Sequence, residues 1–185
     1  EFSKIVQEPL FTITRQSMSG LVESYIIHNL DRFNEIAEKR PVNEEIEKRR
    51  GREKYEGAFV LQPKAALYEN LAIFDFTSYW PSIIVSFNLS FPTFLGDKKP
   101  KDVSKGVSGA TDALEVDIGK GKTAYFSKKQ GFISKLLGEL IELRKKYKEE
   151  LRKKPDPIKK ARSNAFKLLA NAFYGYQGFF GARYY

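Results

Sequence analysis

The sequence has no cysteine, and only one histidine, one methionine and one tryptophan among 185 residues. Without cysteine there is no disulfide scaffold and no thiolate zinc site, and the chain suits a reducing compartment. The lone His28 lies in a helical pattern and is given no catalytic role. No run of about eighteen apolar residues occurs, so no membrane span is indicated. The opening Glu1-Phe2-Ser3-Lys4 does not resemble a signal peptide. The chain does not begin with methionine and reads as a piece of a longer product. Internal repeats and low-complexity tracts are also missing, which excludes solenoids.

What the sequence does have is positive charge in one place. The net charge is +9, and Gly131–Tyr185 carries 13 Lys/Arg against 5 Asp/Glu. The other 130 residues are nearly neutral, with 19 against 18. A basic helical segment favours a polyanion: nucleic acid, a nucleoside triphosphate or an anionic membrane. The plainer reading of any one such lysine is a solvated helix face, and that reading is preferred for Lys145, Lys146, Lys153 and Lys154.

Hydrophobic spacing divides the chain. Residues 1–20 look mixed and extended. Leu21, Ile26, Leu30, Phe33, Ile36 and Ala37 fall at helical spacing, with Ser19-Gly20 before them and Pro41 after. Asn43–Lys54 is charged and suits a second helix. Strands are expected at 57–61 and, above all, at Leu71–Phe76. From Gly96 to Lys122 the pattern dissolves into a surface loop or insertion, with a short strand at Ala113–Ile118. Phe132–Lys154 is strongly amphipathic. Pro155-Asp156-Pro157 stops it, and a second helix follows over 158–173. The two make an antiparallel hairpin. Gly175, Gly178 and Gly181 end helical order.

Two elements carry chemistry. The first is Asp75-Phe76-Thr77-Ser78-Tyr79-Trp80-Pro81-Ser82-Ile83-Ile84, an aspartate delivered by an apolar run and followed by a helix start at Ser82. A strand-end carboxylate is a common Mg²⁺ ligand, although many such aspartates are turn residues. The second is Lys167-Leu168-Leu169-Ala170-Asn171-Ala172-Phe173-Tyr174-Gly175. Lys167, Asn171 and Tyr174 share one helical face, as do Arg144 and Lys148 on the preceding helix. Arginine forks and lysine point charges both suit phosphate.

Together these elements resemble motifs A and B of family B DNA polymerases, the archaeal replicative type especially. The resemblance extends over nearly the whole chain. It implies an α+β fold, with a partial polymerase palm sheet and a long antiparallel helical hairpin, the fingers. It divides the chain into residues 1–56, the end of the exonuclease and junction region leading into the palm, and 57–130, a palm piece with motif A and a surface insertion. The fingers hairpin with motif B then spans 131–175, and 176–185 returns toward the palm. It implies metal-dependent nucleotidyl transfer from a dNTP to a primer 3′-hydroxyl at a two-metal Mg²⁺ site.

In that family the residue matching Asp75 binds both metals, helped by the carbonyl of the residue matching Phe76. Residues matching Ser78, Tyr79, Trp80, Arg144, Lys148, Lys167 and Asn171 surround the incoming nucleotide. The family usually has tyrosine where this chain has Trp80, packed under the deoxyribose as a sugar gate, and leucine where it has Tyr79. A larger indole should still exclude a 2′-hydroxyl. Tyr174 and Gly175 match the positions beside the nascent base pair and template. Ala172 replaces a frequent serine, with little effect expected. Tyr55, Gly57 and Ala58 resemble the motif at the exonuclease–polymerase junction.

The family's third motif, which supplies a second catalytic aspartate, is not in this sequence, so the chain alone is expected to be inactive. The implied partners are primer–template DNA, dNTP, the upstream exonuclease, the downstream palm and thumb, and a sliding clamp through the full enzyme. No membrane is implied, and the expected location is cytoplasmic and nucleoid-associated. The chain could equally be one subunit of a split polymerase. Two other classes are open: a non-catalytic DNA-binding accessory protein derived from this fold, and a helical-hairpin interaction module whose basic residues are solvated. Only the last predicts no salt-dependent DNA binding.

Overall fold

A computed structural model describes residues 1–52, 59–98 and 113–185. Its core is a helical layer, and a small antiparallel sheet lies beside it. The helices are α1 (Phe2–Val6), α2 (Leu10–Ile13), α3 (Met18–Ile27), α4 (Asn43–Arg50), α5 (Tyr79–Ser86), α6 (Phe132–Lys153) and α7 (Pro157–Gln177). The strands are β1 (Phe94–Gly96), β2 (Ala113–Asp117) and β3 (Thr123–Ser127), in the order β1-β3-β2.

The hairpin forms as its sequence dictates. The apolar stripe Phe132, Ile133, Leu136, Leu137 and Leu140 of α6 is buried. It packs with Phe166, Leu169, Ala170, Phe173 and Tyr176 of α7 and with Leu21, Val22, Tyr25 and Ile26 of α3 in one core. Each fully buried leucine or phenylalanine there stabilises by roughly 1.5–3 kcal/mol. Lys154 turns extended after α6. The Asp156 carboxylate then accepts from the Ile158 and Lys159 N–H groups, and Pro157 occupies the first turn of α7.

The hairpin tip is fixed by charge. Lys159 lies 2.7 Å from Glu150, and the Arg162 Nε donates to Glu1 at 2.7 Å while its Nη1 donates to the Tyr147 hydroxyl at 2.9 Å. The Tyr147 ring stacks on Phe166, centroids 5.7 Å apart. At the other end, buried Glu23 accepts from the Tyr176 hydroxyl at 3.2 Å and pairs with Arg40 and Arg183. Burial pushes the Tyr176 hydroxyl well above the usual tyrosine range, and the Glu23 charge adds to that.

The α+β class is as expected, and so are α4, the hairpin and a strand at Ala113–Asp117. Other expectations are corrected. No strand forms at Leu71–Phe76, nor at 59–61, the described part of the 57–61 strand. Both stretches are exposed, with Phe59 at 89%, Ile73 at 88% and Phe74 at 92%. A strand exists only as a hydrogen-bonded ladder, and no second strand lies alongside these segments among the described residues. The sheet that does form lies at 94–127, where the tight Gly119-Lys120-Gly121 turn lets β2 pair with β3.

Residues 1–20 hold helices rather than extended chain. The helix expected over 21–37 stops at Ile27; a short 3₁₀ turn follows at Asp31–Phe33, and Asn34 enters the left-handed region at φ 54°. Ile36 is 90% exposed, so its helical spacing was coincidental. Pro81 does not precede a helix but lies inside the first turn of α5, where its missing N–H breaks no hydrogen bond. Gly175 lies within α7, and helical order ends at Gly178.

Candidate functional site

Ser78 is the pivot of the site. It precedes α5 with φ 52° and ψ 46°, a left-handed conformation that costs a non-glycine residue about 1 kcal/mol or more. Arg144 Nη1 donates to Ser78 Oγ at 2.6 Å. That bond joins the first motif to the middle of α6 across 66 residues of sequence.

Beside it lies a cavity of about 290 Å³. Thr77 and Ser78 form one wall, and the α6 face from Ile141 through Arg144, Lys145, Lys148 and Glu149 to Arg152 forms the other. Its four cations face a single carboxylate, and none of the four is ion-paired among the described residues. A second cavity, of about 420 Å³, differs in this respect. Its Arg32 pairs with Glu139 at 2.9 Å, and its Lys4 and Arg162 share Glu1 at 3.6 Å and 2.7 Å. Of the two, the first cavity therefore holds the larger excess of positive charge.

An aromatic ladder borders the same motif. The Phe76 and Tyr79 rings lie 5.3 Å apart, and Tyr79 meets Trp80 edge-on at 5.0 Å. Trp80 stacks face to face on Tyr174 of α7, centroids 4.2 Å apart and planes 15° from parallel. The two motifs, 94 residues apart at this point, are thus in direct contact. Trp80 and Tyr79 remain 44% and 45% exposed, which is unlike core aromatics.

The structure therefore brings together Ser78, Arg144 and Lys148 at the cavity, and Tyr79, Trp80 and Tyr174 at the ladder. Asp75 and Phe76 lie in the exposed segment leading into Thr77. Lys167, Asn171, Tyr174 and Gly175 form the exposed face of α7, and neither Lys167 nor Asn171 lines the cavity. Tyr55, Gly57 and Ala58 fall outside the described residues. Among the described residues no group of three or more acidic or histidine side chains could hold a metal ion. Lys145, Thr77, Glu149 and Arg152 were not expected here. Helical spacing could have found the α6 members: 141, 144, 145, 148, 149 and 152 share one face.

The first motif thus joins a cation-lined cavity, through Thr77 and Ser78, to an aromatic stack, through Tyr79 and Trp80. The comparisons agree on a family. The model of DNA polymerase family B matches residues 9–185, and the chain belongs to that family. DNA polymerase 1 of Pyrococcus abyssi is 35% identical over 190 aligned positions, covering 100% of this chain and 23% of that protein. The DNA polymerase of Thermococcus gorgonarius is also 35% identical, with 22% of its length covered. The solved family B DNA polymerase of the hyperthermophilic archaeon Pyrobaculum calidifontis matches with a TM-score of 0.70 and 31% identity, over 100% of this chain and 23% of that one. The chain thus spans about a quarter of the length of these relatives. Among the described residues no helix is long and apolar enough to cross a membrane.

Proposed function

We propose that this chain forms the incoming-nucleotide side of a DNA-directed DNA polymerase active site, working within a complete family B enzyme on primer–template DNA. The observation that carries the reading is the Ser78–Arg144 hydrogen bond, which sets the cation row of α6 against the first motif. Arg144 and Lys148 hold the dNTP triphosphate by charge-assisted hydrogen bonds. Lys167 and Asn171 approach the same ligand from α7. Residues 131–175 act as the fingers, 57–130 as a palm piece, 1–56 as the end of the exonuclease and junction region, and 176–185 as the return toward the palm.

Trp80 lies under the sugar and rejects a 2′-hydroxyl sterically. Tyr174 and Gly175 read the nascent base pair, and Tyr55, Gly57 and Ala58 belong to the exonuclease junction. The enzyme acts inside the cell at the nucleoid, with a sliding clamp as partner of the complete polymerase.

Asp75 offers an exposed carboxylate and Phe76 a carbonyl, both hard oxygen donors. That pair fits Mg²⁺, which keeps water and phosphate oxygens and needs few protein ligands, better than it fits a closed metal cage. Asp75 and the Phe76 carbonyl would hold Mg²⁺, which would supply charge neutralisation of the triphosphate and a lower pKa for the attacking primer hydroxyl. The chain's own residues bind, orient and charge-balance the nucleotide.

Single-nucleotide insertion by the complete polymerase tests this. Arg144→Ala should raise the dNTP concentration for half-maximal rate by about tenfold or more, as expected for one lost charge-assisted contact. A wild-type value would remove Arg144 from the nucleotide site and overturn this reading.

A further inference from the structure

The cation row on α6 is longer than its proposed use. Arg144, Lys148 and Arg152 follow one another at four-residue spacing, so the row runs about 12 Å along the helix at 1.5 Å per residue. Arg144 is held at the motif end by Ser78, and Arg152 lies at the far end of the same cavity. Arg152 has no ion-pair partner among the described residues, unlike the cations of the second cavity. An unpaired guanidinium lining a concave surface beside Lys148 and Lys145 is a site for a small polyanion. A cavity of about 290 Å³ suits a compact phosphate species better than the backbone of a nucleic acid duplex.

We propose that Arg152, with Lys148 and Lys145, forms a second anion subsite that takes inorganic pyrophosphate after it separates from the nucleotide. The subsite rests on the assignment of Arg144 and Lys148 to the dNTP. The product moves one turn outward along the row, sharing Lys148 with the triphosphate site and gaining Arg152. Glu149, the one carboxylate in the lining, limits how tightly it is kept. Arg152 is exposed near the end of α6, so replacing it leaves the buried half of the hairpin intact.

The test uses the complete polymerase that carries this chain, with inorganic pyrophosphate as the probe. In the reverse reaction a pyrophosphate oxygen forms a bond to the terminal primer phosphorus. The 3′-oxygen of the preceding nucleotide leaves and takes up a proton, and a dNTP is released. The half-saturating pyrophosphate concentration is compared with that of dNTP in the forward reaction.

Arg152→Gln should raise the pyrophosphate value by about tenfold, the loss of one charge-assisted contact, and the dNTP value by a smaller factor. Arg152→Lys should restore part of the difference. Equal shifts in both values would place Arg152 in the triphosphate site and overturn the subsite. So would no shift in either, or a change in DNA affinity alone. If Arg144→Ala leaves the dNTP value at wild type, it is the underlying nucleotide assignment that fails.

Discussion

Trp80 lies flat against Tyr174, with ring centroids 4.2 Å apart and planes 15° from parallel. Trp80 enters α5 from the first motif, and Tyr174 belongs to the last turns of α7, so the stack is a non-covalent tie between them. Tyr79 extends the tie by meeting Trp80 edge-on at 5.0 Å. The two departures from the family pattern, Tyr79 and Trp80, are therefore parts of one aromatic assembly.

Trp80 is the only tryptophan, so its fluorescence reports on this contact directly. A double-mutant cycle between Trp80→Ala and Tyr174→Ala should give a coupling of about 1 kcal/mol, the usual worth of such a ring pair. In the complete polymerase, Trp80→Ala should also admit ribonucleotides, whereas Trp80→Tyr keeps them out. Additive stability changes would rule out the stacking tie, and unchanged sugar selection by Trp80→Ala would rule out the gate.

Ser78→Ala removes the acceptor of the Arg144 bond and leaves the guanidinium free to swing. The dNTP concentration for half-maximal insertion should rise roughly fivefold, from a loss of about 1 kcal/mol. Ser78→Gly also loses the bond but suits φ 52° better, so it should be the more stable of the two variants in thermal melts.

Leu136 and Phe173 are both completely buried where α6, α7 and α3 meet. Leu136→Ala should cost about 2–5 kcal/mol and Phe173→Ala about 3–5 kcal/mol in urea unfolding. The same change at Leu168, which is 51% exposed one position from the core face, should cost far less.

The Asp156 cap predicts a pH dependence. The Lys159 N–H, followed by that of Ile158, stabilises its carboxylate and holds the pKa below the ordinary aspartate value. Because the folded value is the lower one, the contribution is complete above the unfolded value of about 3.9 and is lost as pH falls through the folded value. Melting temperature should therefore drop less steeply with acid in Asp156→Asn, which caps without titrating, than in the wild type. Parallel curves would mean the cap does not couple to unfolding.

The hairpin was the most legible part of the fold, because Ile133, Leu136, Leu137 and Leu140 repeat at helical period and Pro155-Asp156-Pro157 punctuates them unmistakably. Leu71–Phe76 was misread for the opposite reason. Its residues suit a strand, but pairing is a property of two segments, and the sequence of one does not reveal whether a neighbour is present. Helices α1 and α2 have 5 and 4 residues, too short for a periodic signal.

At the site, four-residue spacing singled out Arg144 and Lys148, and the resemblance to the family's first motif singled out Ser78 and Trp80. Lys145 and Arg152 were assigned to solvent or passed over, because charge alone does not tell a cavity wall from an open helix face. The apolar surface at Phe59, Val60, Ile73 and Phe74 has its own consequence: this segment should bind hydrophobic dyes when the chain is studied alone.

If Asp75 and the cation row of α6 serve one nucleotidyl transfer, removing the carboxylate should stop the chemistry and spare nucleotide binding. The most direct measurement is rapid-quench insertion of a single dNTP by the complete polymerase carrying Asp75→Asn, with dNTP affinity read alongside. The rate should fall by several orders of magnitude while Arg144 and Lys148 still bind the triphosphate. Insertion at the wild-type rate would contradict it.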